Sequence, residues 1–288
     1  MKKILVLFLL LSSSIQAQSI IAQSGWTRNK GGFFGKTGFY TLASNTYFDT
    51  LGASQNQRRF HQQAVLVYGE YGITKNLTAI LNFPVWKAHG YANYETVGGI
   101  GDPQLELKWS VFRKIPAIAL SLGAEFPMSD TVRLSKSTRD NRPATDPETF
   151  NLPTTDGDLN LWSTLAISSG FWSTPGWLTI WAQYNRRGKG YSDQRKLGFE
   201  VGYKWTTEFW TNIRLVGLWN GALKKTENQP SIINGQGTEF TTLNIGLSYE
   251  FIKHWNLTFD YQTYNDFLAK RKNVYSTPLY MIGISLEL

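Results

Sequence analysis

Residues 196 to 205 read Lys196-Leu197-Gly198-Phe199-Glu200-Val201-Gly202-Tyr203-Lys204-Trp205. Large apolar residues take every odd position, and charged residues or glycine take every even one. Successive side chains of an extended chain point to opposite faces, so this segment reads as a strand with one apolar and one polar wall. The pattern recurs. Leu105, Leu107, Trp109 and Val111 alternate with Gln104, Glu106, Lys108 and Ser110. Leu243, Ile245, Leu247, Tyr249 and Phe251 alternate with Asn244, Gly246, Ser248 and Glu250.

Outward from these segments, twelve strands fit the chain. They lie at 33–45, 61–71, 76–87, 102–112, 116–127, 158–169, 176–186, 194–206, 209–221, 239–251, 255–265 and 278–288. Each is near the length of about 10 residues that carries a tilted strand across a hydrocarbon core. A soluble sandwich would alternate in the same way, so the connections have to discriminate. After the even-numbered strands the turns are short, at 72–75, 113–115, 170–175, 207–208 and 252–254. After the odd-numbered strands they are generally longer, the longest running from Met128 to Gly157. Short turns on one rim and long loops on the other are the habit of outer-membrane barrels, with the short side periplasmic. The predicted fold is therefore all-β, a transmembrane antiparallel up-and-down β-barrel of about 12 strands, with both termini on the periplasmic side of a bacterial outer membrane.

The two ends agree with export. Met1-Lys2-Lys3 precedes an apolar run from Ile4 to Leu11 and a small-residue site at Ala17. That order is a cleaved signal peptide, and the run is too short for a permanent helix, which needs about 20 apolar residues. The expected organisation is a signal peptide at 1–17, a segment at 18–32 and the barrel at 33–288. With Gly25, Gly31, Gly32 and little alternation, the segment either hangs in the periplasm or enters the lumen as a plug. The ending Gly283-Ile284-Ser285-Leu286-Glu287-Leu288 resembles the C-terminal signal read by the barrel-assembly machinery. Gly283, Ile284, Leu286 and Leu288 are its candidate positions, with Leu288 in place of the usual terminal Phe.

Composition narrows the function classes. The chain has no cysteine, which excludes disulfides and thiolate metal sites. The acidic residues of the longest loop (Asp130, Asp140, Asp146, Glu148 and Asp156) lack calcium-loop spacing, so no metal and no cofactor is expected. Without Lys2 and Lys3 the chain keeps 27 basic against 21 acidic residues, a net +6. For a secreted protein that excess points to anionic lipid rather than nucleic acid. Aromatics gather at the short-turn rim: Tyr71, Trp109, Trp172, Trp177, Trp205, Phe209, Trp210, Phe251 and Trp255. They suit an interfacial girdle, although aromatics also favour strands in general.

With the apolar phase on lipid, Glu106, Lys108, Glu125, Glu200, Lys204, Arg214, Glu250 and Asp260 point into the lumen. On the lipid face Arg or Lys at mid-bilayer would cost about 2–4 kcal/mol. Neighbouring strands are expected to bring Glu106 and Lys108 near Glu125, and Glu200 and Lys204 near Arg214. Two readings stay open: a charged constriction that selects solutes, or a structural network filling a narrow lumen. In the outer loops Arg58, Arg59, Arg186, Arg187, Lys270, Arg271 and Lys272, with Lys189, Lys224 and Lys225, are candidates for contacts to glycolipid phosphates. An ordinary solvated surface is the other reading. Hydrolysis needs a nucleophile beside an oriented base. Only His61, His89 and His254 are available, none beside a signature Ser, so an outer-membrane lipid hydrolase is the least favoured reading and an enzyme is not expected.

Three stretches carry a family resemblance: Tyr71-Gly72-Ile73-Thr74-Lys75-Asn76-Leu77, Asn82-Phe83-Pro84, and Gly99-Ile100-Gly101-Asp102-Pro103-Gln104-Leu105-Glu106-Leu107-Lys108-Trp109. Over residues 64–128 the chain resembles the outer-membrane barrels linked to meta-pathway phenol degradation. Pro103 and Met128-Ser129 depart from the family pattern. The resemblance implies a transporter-like, porin-like barrel for small, often hydrophobic or aromatic molecules, and no single binding residue. The function expected is passage of such molecules through a charge-lined lumen. The alternative is a non-conducting barrel whose loops bind glycolipid or a partner.

Overall fold

A computed structural model describes residues 23–128, 132–141, 148–155, 157–171, 174–188, 190–221 and 237–288. The predicted signal peptide, Asp130, Asp146, Asp156, Trp172, Lys189, Lys224 and Lys225 lie outside the described residues. The strands are β1 (Phe33–Phe48), β2 (Ser54–Gly72), β3 (Leu77–Tyr91), β4 (Val97–Gly99), β5 (Gln104–Phe112), β6 (Ala117–Glu125), β7 (Leu134–Lys136) and β8 (Thr149–Asn151). They continue as β9 (Asn160–Gly170), β10 (Gly176–Arg187), β11 (Gln194–Lys204), β12 (Phe209–Asn220), β13 (Phe240–Ile252), β14 (Trp255–Asn265), β15 (Val274–Tyr275) and β16 (Leu279–Glu287).

Twelve of these are long and form one closed antiparallel barrel, each pairing with the long strand before and after it. The seam closes where β1 lies between β2 and β16, with Phe34 opposite Glu287 and Tyr40 opposite Met281. Closure leaves no sheet edge, so the backbone ladder is satisfied without water. All twelve predicted segments coincide with long strands. The short strands β4, β7, β8 and β15 sit in the long connections and escaped prediction, being too brief to show a period.

One connection is a correction. The first outer loop is only residues 49–53, because β1 and β2 run on into a hairpin as far as Phe48 and Ser54. Arg58 and Arg59 are therefore strand residues, as are Arg186 and Arg187 at the end of β10. The polar run Asn56-Gln57-Arg58-Arg59 has no alternation to read, yet backbone pairing alone holds it once β1 is alongside. The hairpin turn is fixed by Asp49, whose Oδ1 accepts the N–H groups of Leu51 and Ala53, and by Gly52 at φ 88°.

The outer wall is a belt of apolar side chains. Leu107, Leu122, Leu165, Ile180, Phe199, Ile213, Leu257 and Ile282 all stand exposed on it. A water-facing surface rarely carries so continuous an apolar band, whereas hydrocarbon requires one. Tyr71, Trp109, Trp205, Phe251 and Trp255 lie exposed on this face at the short-turn rim, as a girdle demands. Trp177 and Trp210 do not: both line the lumen. Strand phase makes the difference: Trp177 shares the inward face of β10 with Thr179 and Trp181, and Trp210 that of β12 with Arg214. The Trp177 indole N–H donates to a lumen carboxylate, Glu200 Oε1, at 3.0 Å.

Inside, the polar phase is not uniform, which corrects the expectation of a polar wall on every strand. Tyr40, Leu42, Phe60, Ala64, Leu66, Leu218, Phe240, Tyr264, Val274, Tyr275, Leu279 and Met281 form a buried apolar cluster. It sits on the loop-side half of β1, β2, β12, β13, β14 and β16. Phe60 stacks on Tyr275 with ring centroids 5.1 Å apart, and Tyr91 meets Phe60 edge-on at 5.4 Å.

Candidate functional site in the barrel lumen

The opposite wall and the turn-side half of the lumen are polar. Alternation aims Glu106 and Lys108 inward from β5 and Glu200 from β11, and all three are buried. Ion pairs organise the space. Arg214 on β12 holds Glu200 on the facing position of β11 through Nη2 at 2.7 Å and Nε at 2.8 Å. Asn212 and Trp177 complete the shell of that carboxylate, donating at 3.3 and 3.0 Å. Lys36 on β1 reaches Asp260 on β14 at 2.8 Å. Glu70 on β2 accepts from Arg28 at 2.9 Å and from the Tyr68 hydroxyl at 2.6 Å. Arg28 also pairs with Glu287 of the last strand.

The residues before β1 belong to this site. The Gln23 amide donates to Glu106 Oε2 at 3.1 Å, the Gly25 N–H to Ser168 Oγ at 2.8 Å and the Arg28 N–H to Thr78 Oγ1 at 2.9 Å. Lys108 Nζ donates to Ser24 Oγ at 3.3 Å. Residues 23–28 thus lie inside the barrel against the inner faces of β3, β5 and β9. A Cβ on Gly25 would stand 2.3 Å from the Ala117 carbonyl oxygen, so only glycine lets the segment lie this close to the wall.

Three indoles lie flat on the inner wall, each over a glycine of the neighbouring strand. Trp177 covers Gly202, Trp181 covers Gly198 and Trp162 covers Gly123. A Cβ at Gly202 or Gly198 would sit 1.9 or 2.0 Å from the ring. Gly198 and Gly202 thus make room for the rings of Trp181 and Trp177, and the Trp177 N–H then reaches the Glu200 carboxylate. Trp162 Nε1 donates to Glu106 at 2.9 Å.

The result is a divided space. Toward the short turns a chamber of 330 Å³ is lined by Trp26, Phe34, Lys36, Tyr68, Trp177, Glu200, Trp210 and Arg214. Toward the loops a pocket of 70 Å³ is lined by Gln23, Gln104, Glu106, Glu125, Trp162, Gln183 and Lys196. A cavity of about 150 Å³ admits benzene, so the chamber takes a small organic molecule and the pocket is a constriction.

The predicted lumen residues divide accordingly. Glu200 and Arg214 are joined as expected, but Lys204 is not with them; it lies at the rim over the Trp210 ring, 5.7 Å from its centroid. Four residues along a strand separate it from Glu200, too far to share one partner. Glu106 bonds to Gln23 and Trp162, and Glu125 accepts from Gln104 at 2.9 Å. Glu250 accepts the His254 N–H at 2.7 Å and so caps a turn. Lys36, Glu70, Arg28 and Lys196 were missed, although Lys36 and Glu70 each stand in the inward phase of a strand. Gly35, Gly38 and Gly69 around them blur the apolar phase that would have exposed it.

The predicted loop cations are largely engaged with the protein. Arg58 lies over the rings of Tyr94 and Phe150, Arg187 over Tyr191 and Arg271 over Phe48. Arg271 also pairs with Asp266, and Lys272 with Glu239, both at 2.8 Å. Arg59, Arg186 and Lys270 are exposed. His61 Nε2 meets the Thr96 hydroxyl at 2.8 Å and His89 Nε2 the Leu152 carbonyl at 2.9 Å; neither partner is an orienting carboxylate.

Comparison with solved structures supports the fold. The chain is similar to an outer-membrane channel from Pseudomonas putida F1, with 12% identity and a TM-score of 0.65 over 93% of this chain and 98% of that one. Looser likenesses are to the porin NanC (13% identity, TM-score 0.48, covering 88% and 100%) and to the Pseudomonas putida toluene transporter TodX (9%, 0.45, covering 96% and 94%). The latter two overlay too loosely to bear on this chain's chemistry. No family model and no curated protein matches the sequence.

Proposed function

We propose that this protein is an outer-membrane channel, without enzymatic activity, that passes small molecules, hydrophobic or aromatic ones among them, along the polar side of its lumen. The observation that carries the reading is the 330 Å³ chamber, where aromatic rings and closed ion pairs line one space. Rings offer faces to an apolar solute, and paired charges spare it the repulsion of a bare ion. The apolar outer belt and the segregation of short turns support an outer-membrane location with periplasmic termini. The terminal residues Gly283 to Leu288 would then be read by the assembly machinery. The meta-pathway resemblance agrees with the solute class, and residues 23–28 act as a plug across the chamber.

Planar bilayers with purified mature protein test the proposal. Wild type should give small conductance steps, and removal of residues 18–28 should enlarge them. Replacing Glu106 and Arg214 by uncharged residues should change ion selectivity. A silent wild type together with a silent truncation would leave the non-conducting, loop-binding barrel as the better reading.

A further inference from the structure

The outer face of β9, β10 and β11 carries a feature that transport does not use. Tyr184 lies directly opposite Arg195 in the β10–β11 ladder, and Arg186 follows two residues further along the same face. Directly opposed residues bring their Cβ atoms to about 5 Å and diagonal ones to about 7–8 Å. Two guanidinium groups on side chains of this length meet readily over one phosphate. Both arginines are exposed, and among the described residues neither holds an ion pair. The neighbouring acid is Asp193, whose Oδ2 accepts the Tyr184 hydroxyl at 2.7 Å and whose Oδ1 accepts the Arg187 N–H at 3.1 Å. It steadies the tyrosine and forms no ion pair with either arginine.

From Arg195 an apolar groove of 740 Å³ crosses the outer wall obliquely as far as β3, passing Ala182, Leu165, Leu122 and Trp109. The small Ala182 opens it beneath the arginines. A cationic head at the loop rim above an apolar trough matches a lipid with phosphate at its head and acyl chains below.

We infer that Arg186, Arg195 and Tyr184, with the groove beneath them, form a binding site for a phosphorylated glycolipid of the outer leaflet. The inference rests on the outer-membrane reading above and deepens its glycolipid expectation: Arg195 joins the site, and Arg187, turned inward onto Tyr191, leaves it. Guanidinium forks hold phosphate by paired charge-assisted hydrogen bonds, so two of them at one head distinguish phosphorylated from unphosphorylated lipid.

Native mass spectrometry of the purified full barrel with added bisphosphorylated lipid A tests the site. Wild type should retain lipid A, and the R186A/R195A double variant should lose at least about tenfold in occupancy. A182W, which fills the groove and keeps both arginines, should also lose occupancy. Lipid A stripped of phosphate should bind wild type at least about tenfold less. Undiminished retention by R186A/R195A, or equal retention of phosphatidylglycerol, would overturn the site. Heat-dependent gel mobility, read on the same samples, reports the barrel; its absence in wild type would overturn the membrane reading and is a separate failure. Variants that keep the mobility shift and lose lipid A support the site.

Discussion

The two walls of the lumen are built from the same strand geometry and reach opposite results. On β1, β2, β13, β14 and β16 the inward side chains toward the loops are Tyr40, Leu42, Phe60, Phe240, Tyr264 and Leu279, packed until almost nothing is exposed. On β5, β9, β10 and β11 the inward side chains include Glu106, Trp162, Gln183, Lys196 and Glu200, and space remains between them. Apolar groups attract without direction and close-pack, whereas hydrogen-bonded and ion-paired groups hold fixed distances and angles. One wall is therefore a core and the other a passage.

Breaking the core wall should have the largest effect. Phe60→Ala removes a ring that is 1% exposed and stacked on Tyr275. It should destabilise the barrel by about 3–5 kcal/mol in urea unfolding from vesicles. It should also raise conductance, because the cavity joins the passage. A stable variant with unchanged conductance would mean that the cluster is not a barrier.

On the passage wall Arg214→Ala leaves the buried Glu200 unpaired and should cost about 3 kcal/mol by the same measurement. Adding Glu200→Gln should return much of the loss, so the pair of changes should cost less than their sum. Strict additivity would show that the two side chains act independently. Gly198→Val tests how the indoles are seated. Its Cβ would fall 2.0 Å from Trp181, so a loss of about 1–3 kcal/mol is expected, with a shift in tryptophan emission as the ring is displaced.

The smallest effect belongs to the loop that carries Asp266 and Arg271, outside both walls. Arg271 bonds to the Asp266 carboxylate through its side chain and backbone N–H, holding that carboxyl below the ordinary aspartate range. A lowered folded pKa gives a contribution that is complete above the unfolded value and disappears as pH falls through the folded one. Amide exchange across 266–271 should be unchanged from neutral pH down to about 4, near the unfolded aspartate value, and should rise below it relative to intrinsic rates. Asp266→Asn should remove the pH dependence while leaving the lumen unaltered.

Much of this was legible in the chain. The inward phase of Glu106, Lys108, Glu200, Arg214 and Asp260 follows from alternation alone, and each faces the lumen. Partnership was less legible. Glu200 and Arg214 meet across a hairpin with a short turn, so sequence distance foretold their contact. Lys36 and Asp260 are joined only because β1 and β14 flank β16 in the closed barrel, across 224 residues of sequence. Trp177 and Trp210 suit a girdle by residue type, yet phase places both inward, Trp210 with Arg214 and Trp177 with Thr179. What phase does not tell is the acceptor of the Trp177 N–H, which lies on another strand.

Period-two alternation and the spacing of turns dictated the strands, their number and the face each residue takes, because side-chain direction along an extended chain is a local property. Closure decided the rest. Which distant charges pair, which wall packs solid and where residues 23–28 lie depend on the register in which strands align around the ring. That register is set by contacts between residues far apart in the chain, which no local pattern contains.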